Sequence, residues 1–435
     1  MDSSALMTVQ AELEPVVEQT PRWGLVSKVA FRFCVVYFGL FCLMTQIVGA
    51  LLAYPSLDLP DPSSLWPMRQ TVFWAAKHIF GVTEPLVYTG SGSGDKIFDW
   101  VLCFCLLVMA ALGAAVWSFL DRRRTRYTTS YNWFRVLLRF ALASQMLTYG
   151  MVKAIPLQMP FPSLMRLLEP YGNFSPMGVL WYSIGASPVY EIFTCCAELL
   201  GGILQILPRT TTIGALICLA DAIEVFTLNM TYDVPVKLFS FHLIVMALLL
   251  LGPNLRRIAD FFFMGRSVQT AAEPRLFSTG RANRIAVTAQ VVFGLWLLAM
   301  NAYGGWTSWK QYGGGSPKSP LYGIWNVDQL TGDGEHWRRV IFDAPNYMAF
   351  QRMDDTFVFY GSALNLKTGT LALTKSKDKK SNAALTFQRP AKDRLILDGE
   401  MDGHKINMQL RLVDHSKFQL LSRGFHWVQE YPYNR

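Results

Sequence analysis

AELLGGILQILPRTTTIGALICLADAIEVFTLNMTYDVPVKLFSFHLIVMALLLL, residues 197–251, is the stretch whose reading decides the fold. It is three apolar runs divided by two polar breaks, Pro208-Arg209-Thr210 and Tyr232-Asp233-Val234-Pro235. Inside and beside these runs stand Glu198, Asp221, Glu224, Asp233, Lys237 and His242. An Asp, Lys or Arg at the centre of a membrane helix costs roughly 2.5–3.5 kcal/mol even on insertion-based scales. A chain that keeps six ionisable groups here either uses them or pairs them with one another.

The composition around this stretch is that of a multi-span membrane protein. The 435 residues are 51% hydrophobic and 14% aromatic, and only 16% are charged, where a soluble domain carries about a quarter. Seven segments match a hydrocarbon core of ~30 Å: 33–54, 100–120, 136–155, 188–207, 213–230, 234–252 and 285–303. The third carries Arg139 and Lys153. Arginines concentrate in alternate loops: Arg122, Arg123, Arg124 and Arg126, then Arg209, then Arg256, Arg257, Arg266, Arg275, Arg281 and Arg284. By the positive-inside rule the N-terminus is cytoplasmic and everything after the seventh span is extracytoplasmic, as expected of a protein of the cytoplasmic (inner) membrane. These loops account for most of the net charge of +9, so no nucleic-acid partner is expected. Residues 1–28, with Glu12, Glu14 and Glu18, lack an apolar core and read as a cytoplasmic segment, the first span being kept as an anchor.

The connecting segments carry their own signals. In 54–97, Trp66, Phe73, Trp74 and Phe80 alternate with Arg69, Lys77 and His78, the pattern of a helix lying at the interface. Ser91–Asp95, SGSGD, reads as a turn. In 156–187 two Ser-Pro pairs, Ser175-Pro176 and Ser187-Pro188, predict helix starts with Ser as N-cap and Pro in the first turn. The piece between them is too short to cross a bilayer, and is expected to be interfacial or re-entrant beside an outward-facing cavity. All seven cysteines, Cys34, Cys42, Cys103, Cys105, Cys195, Cys196 and Cys218, lie in apolar runs. They read as small buried hydrophobes, and the outer domain as free of disulfides.

After residue 312 the pattern changes. Residues 313–320, opening Gly313-Gly314-Gly315-Ser316-Pro317, form a linker, and residues 29–312 the helical domain. Residues 321–435 alternate with period two in short runs, FVFYGSALNL, TLALTKS, AALTFQR, RLILDGE, KINMQLRLV and KFQLLSR. This predicts an antiparallel barrel or sandwich of about eight strands. The fold class expected is therefore an all-α membrane bundle of about seven spans followed by an all-β domain.

The chemistry points back to the opening stretch. Glu191 and Glu198, seven residues apart, share a helix face with Cys195 between them; Asp221 and Glu224, three apart, share another. Lys237 follows Asp233 by four, in order for an ion pair. Lys153 and Arg166 approach from the third span and the segment after it. Topology puts Lys153, Glu191, Asn229, Asp233 and Lys237 near the outer interface, and Glu198, Asp221, Glu224 and His242 nearer the middle. Acids and a histidine gathered at low dielectric suit proton transfer. The candidate catalytic residues are Lys153, Glu198, Asp221, Glu224 and His242; the candidate substrate-binding residues are Arg166, Asn229, Asp233 and Lys237. The competing reading is that acids and lysines pair only to fix the bundle. His336, His404, His415 and His426 are scattered and form neither HxH nor HExxH, so no metal is expected.

Residues 139–260 resemble DoxX-like membrane proteins. The likeness rests on YGMVKAIPLQMP (149–160), SPMGVLW (175–181), AELLGGILQILPRTTTIGALI with Glu198, Gly201 and Gly202, and LNMTYDVPVKLFSFHL. A more distant likeness runs to HTTM membrane domains, which include vitamin K-dependent carboxylase; Lys153 is the position to compare with the carboxylase base. The DoxX likeness implies quinone-linked redox chemistry at the membrane. This chain departs from the usual four spans and adds an outer domain. Gly323-x-Trp325 resembles the first-strand GxW of lipocalin-like barrels, with Arg423 as the arginine that would pack over the Trp. The expected function is a membrane redox enzyme acting on a quinone or other lipid-soluble substrate. The alternative is a non-enzymatic transport or assembly protein whose outer β domain binds a partner or lipid.

Overall fold

A computed structural model describes residues 23–54, 60–89, 94–268, 275–375 and 378–433. Most of the N-terminal segment and of the Ser91–Asp95 turn lies outside these. The chain divides into two compact units: Met1–Gly49 with Leu59–Ala141 and Gln269–Thr288, and Ala50–Asp58 with Leu142–Val268 and Ala289–Arg435.

The first unit is built on α1 (Leu25–Met44), the first half of α2 (Ile47–Leu52), α3 (Met68–His78), α4 (Ile97–Leu120) and the opening of α5 (Thr128–Ala154). One of its buried charges is Arg32, 3% exposed. The guanidinium donates to Ser118 Oγ at 2.8 Å, to the Asp121 carbonyl at 2.9 Å and to the Tyr127 hydroxyl, which in turn donates to Asp121 Oδ2 at 2.8 Å. A buried guanidinium is tolerated because its donors are used, and the network ties α1 to the end of α4 and the start of α5. Helix α3 buries Met68, Val72, Ala75 and Ala76 and exposes Trp66 and Trp74 at its flank and surface, the division expected of an interfacial helix.

The second unit continues with α6 (Pro176–Gly185), α7 (Pro188–Ile206), α8 (Thr211–Thr231), α9 (Lys237–Leu251), α10 (Leu255–Phe262) and most of α11 (Gly280–Tyr312). Both predicted Ser-Pro starts are present. Ser175 Oγ accepts the Gly178 N–H at 3.1 Å, and Ser187 Oγ accepts the Tyr190 N–H at 3.4 Å. The ten-residue α6 is the predicted short helix.

Among the described residues six helical stretches are long and apolar enough to cross a membrane; this is a multi-pass membrane protein. The remaining expected span, the third, falls on α5, which has ample length at 27 residues. It falls short in apolarity because it carries Arg135, Arg139 and Lys153. Residues 138–147 of α5 are buried without a break, and a helix covered by protein has no lipid-facing surface to keep apolar.

Eight antiparallel strands, all among the described residues, close into a barrel: β1 (Gly323–Gly332), β2 (Trp337–Ala344), β3 (Tyr347–Arg352), β4 (Phe357–Asn365), β5 (Thr370–Lys375), β6 (Asp378–Ala391), β7 (Arg394–Met401) and β8 (His404–Leu412). Strand β1 pairs with β8, Trp325 opposite Leu412 and Val327 opposite Leu410. Alternate residues point inward and fill the lumen: Trp325, Trp337, Phe342, Phe350, Tyr360, Leu373, Leu397 and Met408 are buried there in one cluster. Eight strands leave just the width that side chains of this size occupy.

KFQLLSR, expected as a strand, instead contains the end of a 3-10 turn and a short helix, Gln419–Ser422. Once β1 and β8 have met, no sheet edge remains for a ninth strand. The outer face of the barrel carries an apolar pair, Ile324 and Ile341, fully buried by Leu164 of the α5–α6 connection. Tyr347 donates to Met165 Sδ at 3.9 Å beside it. The barrel is thus fastened to the segment that follows Lys153.

Candidate functional site

The site is organised by glycines. A Cβ on Gly150 of α5 would meet the Leu199 side chain at 2.9 Å, and one on Gly202 of α7 would meet Leu147 and Met146 at 3.1 Å. On the other side, a Cβ on Gly201 would meet Cys218 Sγ at 2.7 Å, and one on Gly214 of α8 would meet Leu204 at 2.9 Å. The adjacent glycines after Glu198 therefore face opposite ways: Gly202 admits α5 and Gly201 admits α8. Small residues at helix contacts are how membrane helices approach this closely.

At that level Lys153 meets Glu198. Lys153 Nζ donates to Glu198 Oε1 at 2.7 Å, with the two side chains 10% and 4% exposed. Both partners are cut off from water, so the pair holds only because each neutralises the other. The other oxygen, Glu198 Oε2, is buried and has no hydrogen-bond partner among the described residues. Asp221 of α8 lies within electrostatic reach of Glu198, Lys153 and Glu224, and its Oδ2 is likewise buried and unpartnered among the described residues. Glu224 is exposed on the surface of α8 but close enough for its charge to act on Glu198.

Along α7 the acidic face is longer than the candidate residues chosen from the sequence. Glu191, Glu198 and Gln205 recur at seven-residue intervals and are 0%, 3% and 0% exposed. Glu191 Oε1 accepts the Met159 N–H at 2.9 Å; its Oε2 is buried with no partner among the described residues. That bond pins the start of the α5–α6 connection over the Lys153 end of the site. Gln205 donates to the Thr211 carbonyl at 3.3 Å. The signal for both residues was the same heptad spacing that paired Glu191 with Glu198. Cys218 belongs here too, buried against Gly201; it escapes a sequence reading because nothing in the α8 sequence tells which cysteine meets a glycine.

The remaining candidates sit in other settings. Asn229 donates to Ser240 Oγ at 3.0 Å and to the Val236 carbonyl at 3.4 Å, holding the α8–α9 turn closed. Lys237 pairs with Asp233 at 2.8 Å, the predicted i,i+4 pair, at a residue with φ of 53°. His242 is buried, with Nδ1 2.7 Å from the Leu238 carbonyl. A carbonyl only accepts, so Nδ1 carries the proton when the ring is neutral. Arg166 pairs with Glu169 and stands over the Tyr182 ring at 5.5 Å. In the barrel, Gly323 takes a φ of 145° that favours glycine, and Trp325 is fully buried with Nε1 donating to the Leu321 carbonyl at 3.0 Å. The arginine over its ring is Arg389 of β6, at 5.7 Å. Arg423, expected in that place, stands over Tyr433 at 4.1 Å instead, because it lies beyond the closed barrel.

The chain is similar to the "Uncharacterized protein YwoB" of Bacillus subtilis (strain 168), with 30% identity over 124 residues, 28% of this chain and 79% of that protein. The chain belongs to the YwoB family. No family model and no solved structure matches it. Most of the chain lies outside the matched stretch.

Proposed function

We propose that this chain acts from a cytoplasmic membrane, N-terminus inside and barrel outside, on a lipid-soluble substrate of quinone type. The observation that carries the reading is the buried Lys153–Glu198 pair at 2.7 Å with Asp221 in electrostatic reach. A quinone becomes a quinol when it takes up two electrons from an external two-electron reductant and two protons, one at each carbonyl oxygen. A site for it needs a donor for the carbonyl oxygen and acids that pass protons on. Lys153 serves as the donor. Glu198 and Asp221, whose second oxygens have no partner among the described residues, serve as the proton carriers. Glu224, on the exposed flank and within electrostatic reach of Glu198, extends the relay. The likeness to DoxX-like proteins supports the same substrate class; the YwoB name assigns no activity.

A second reading has its own support. The filled lumen of the barrel favours a domain that contacts a protein or lipid through its outer wall, as in a transport or assembly protein. Extraction of the full chain, purified in mild detergent, separates the two. The first reading expects about one quinone per chain, and markedly less from Glu198→Gln. A quinone-free extract from wild type overturns the first reading and leaves the second.

A further inference from the structure

The chain beyond the barrel plays no part in the site above. Strand β8 runs antiparallel to β1, with Leu412 opposite Trp325, so the chain leaves the barrel at the end where it entered. It enters from the membrane, since α11 stops at Tyr312 and β1 starts at Gly323. The last turns of α11 expose Tyr303, Trp306 and Tyr312, and Lys310 Nζ lies 5.1 Å from the centre of the Trp306 ring. Trp and Tyr gathered at the end of a spanning helix mark the bilayer interface. The strap after α5 meets the barrel on the same side, through Leu164 and through Met165 against Tyr347. Phe418 packs against that cluster too.

Beyond Phe418 the apolar side chains are bare. Phe425, Trp427 and Val428 are 78%, 91% and 86% exposed, and Leu420 and Tyr431 are exposed beside them. The segment is nonetheless folded on itself. Arg423 Nη2 donates to Gln429 Oε1 at 3.2 Å, and its guanidinium stands over the Tyr433 ring at 4.1 Å. Phe425 and Trp427 meet edge-on at 5.2 Å. The arginine is thus used inside the segment and the rings are left outside. An exposed apolar patch of this kind marks a contact with membrane or protein. Its place at the membrane end of the barrel, next to the strap, favours membrane. So does its composition: residues 419–433 mix Trp, Tyr, Phe and aliphatic residues with one arginine and one glutamate, which the boundary between headgroups and acyl chains accepts.

We propose that residues 419–433 are an interfacial anchor, which seats Phe425, Trp427 and Val428 in the headgroup zone of the bilayer that the helices span. The barrel is then held at its membrane end by two attachments, the strap through Leu164 and the tail through lipid.

The test uses the full chain in vesicles of phosphatidylcholine and phosphatidylglycerol, with a photoreactive benzophenone side chain in place of Trp427. Irradiation joins the benzophenone to its neighbour, and mass spectrometry of the C-terminal peptide identifies what it joined. The reference is the same side chain in place of Met353, also an exposed apolar residue. Met353 follows β3, at the opposite end of that strand from Tyr347, and so lies away from the strap. Lipid adducts at Trp427 should exceed those at Met353 by about tenfold. Phe425, replaced in the same way, carries the test if the chain with the probe at Trp427 is not recovered folded. Adducts to protein, within the chain or between two copies, overturn the proposal, and so does a lipid yield no higher than at Met353.

Discussion

Lys153 and Glu198 exchange hydration for one short ion pair, and that exchange makes each depend on the other. Replacing Lys153 with Met leaves Glu198 as a buried, uncompensated carboxylate. We expect Lys153→Met to destabilise the folded chain by about 3–5 kcal/mol. The double variant Lys153→Met/Glu198→Leu should recover most of that loss, as apolar replacements of buried pairs do. Denaturant unfolding of Lys153→Met, Glu198→Leu and the double variant in one detergent measures this, and additive losses would mean that the pair is not coupled. At this scale much was legible. Six ionisable groups in apolar runs had to be accounted for, and Glu198, Asp221, Glu224 and Lys153 do come together. What spacing along one helix cannot tell is which partner stands opposite. Asn229, Asp233 and Lys237 share that polarity but serve the α8–α9 turn, and the arginine over Trp325 comes from β6 rather than from beyond β8.

The helices meet where side chains are missing. Gly201 and Gly202 open α7 to two neighbours at once: a methyl group on Gly201 would press on Cys218 Sγ at 2.7 Å, and one on Gly202 on Leu147 and Met146 at 3.1 Å. We expect Gly201→Ala to cost about 1–3 kcal/mol through overpacking against Cys218. The cost should shrink in a Cys218→Ala background, where the sulfur is gone. A thermal-shift double-mutant cycle reads the coupling, and an unchanged penalty would place the strain elsewhere. Element starts were legible wherever the local chemistry is strong, as at Ser175-Pro176 and Ser187-Pro188. Element type failed where closure decides it. KFQLLSR alternates like a strand, but the barrel had no edge to offer. Apolarity alone likewise undercounts α5, whose arginines and lysine are tolerated because protein covers the helix.

Over the whole molecule, the barrel is tied to the connection that leads out of α5, through Leu164 on Ile324 and Ile341, and the same connection is pinned by Glu191 through Met159. The barrel and the buried pair therefore share one strap of chain. The arginine distribution predicts a barrel outside the cytoplasm. A phosphatase fused after Arg435 should be active and a fluorescent protein that matures only in the cytoplasm should stay dark; the reverse would turn the site toward the inner face. The central claim is that Glu198 carries protons to a lipid-soluble substrate. The most direct measurement is proton uptake, followed with a pH-indicating dye, when quinone bound to the purified chain is reduced chemically. Wild type should take up protons with the reduction, and Glu198→Gln, folded to the same melting temperature within a few degrees, should do so about 100-fold more slowly. Equal rates in the two proteins would contradict the account.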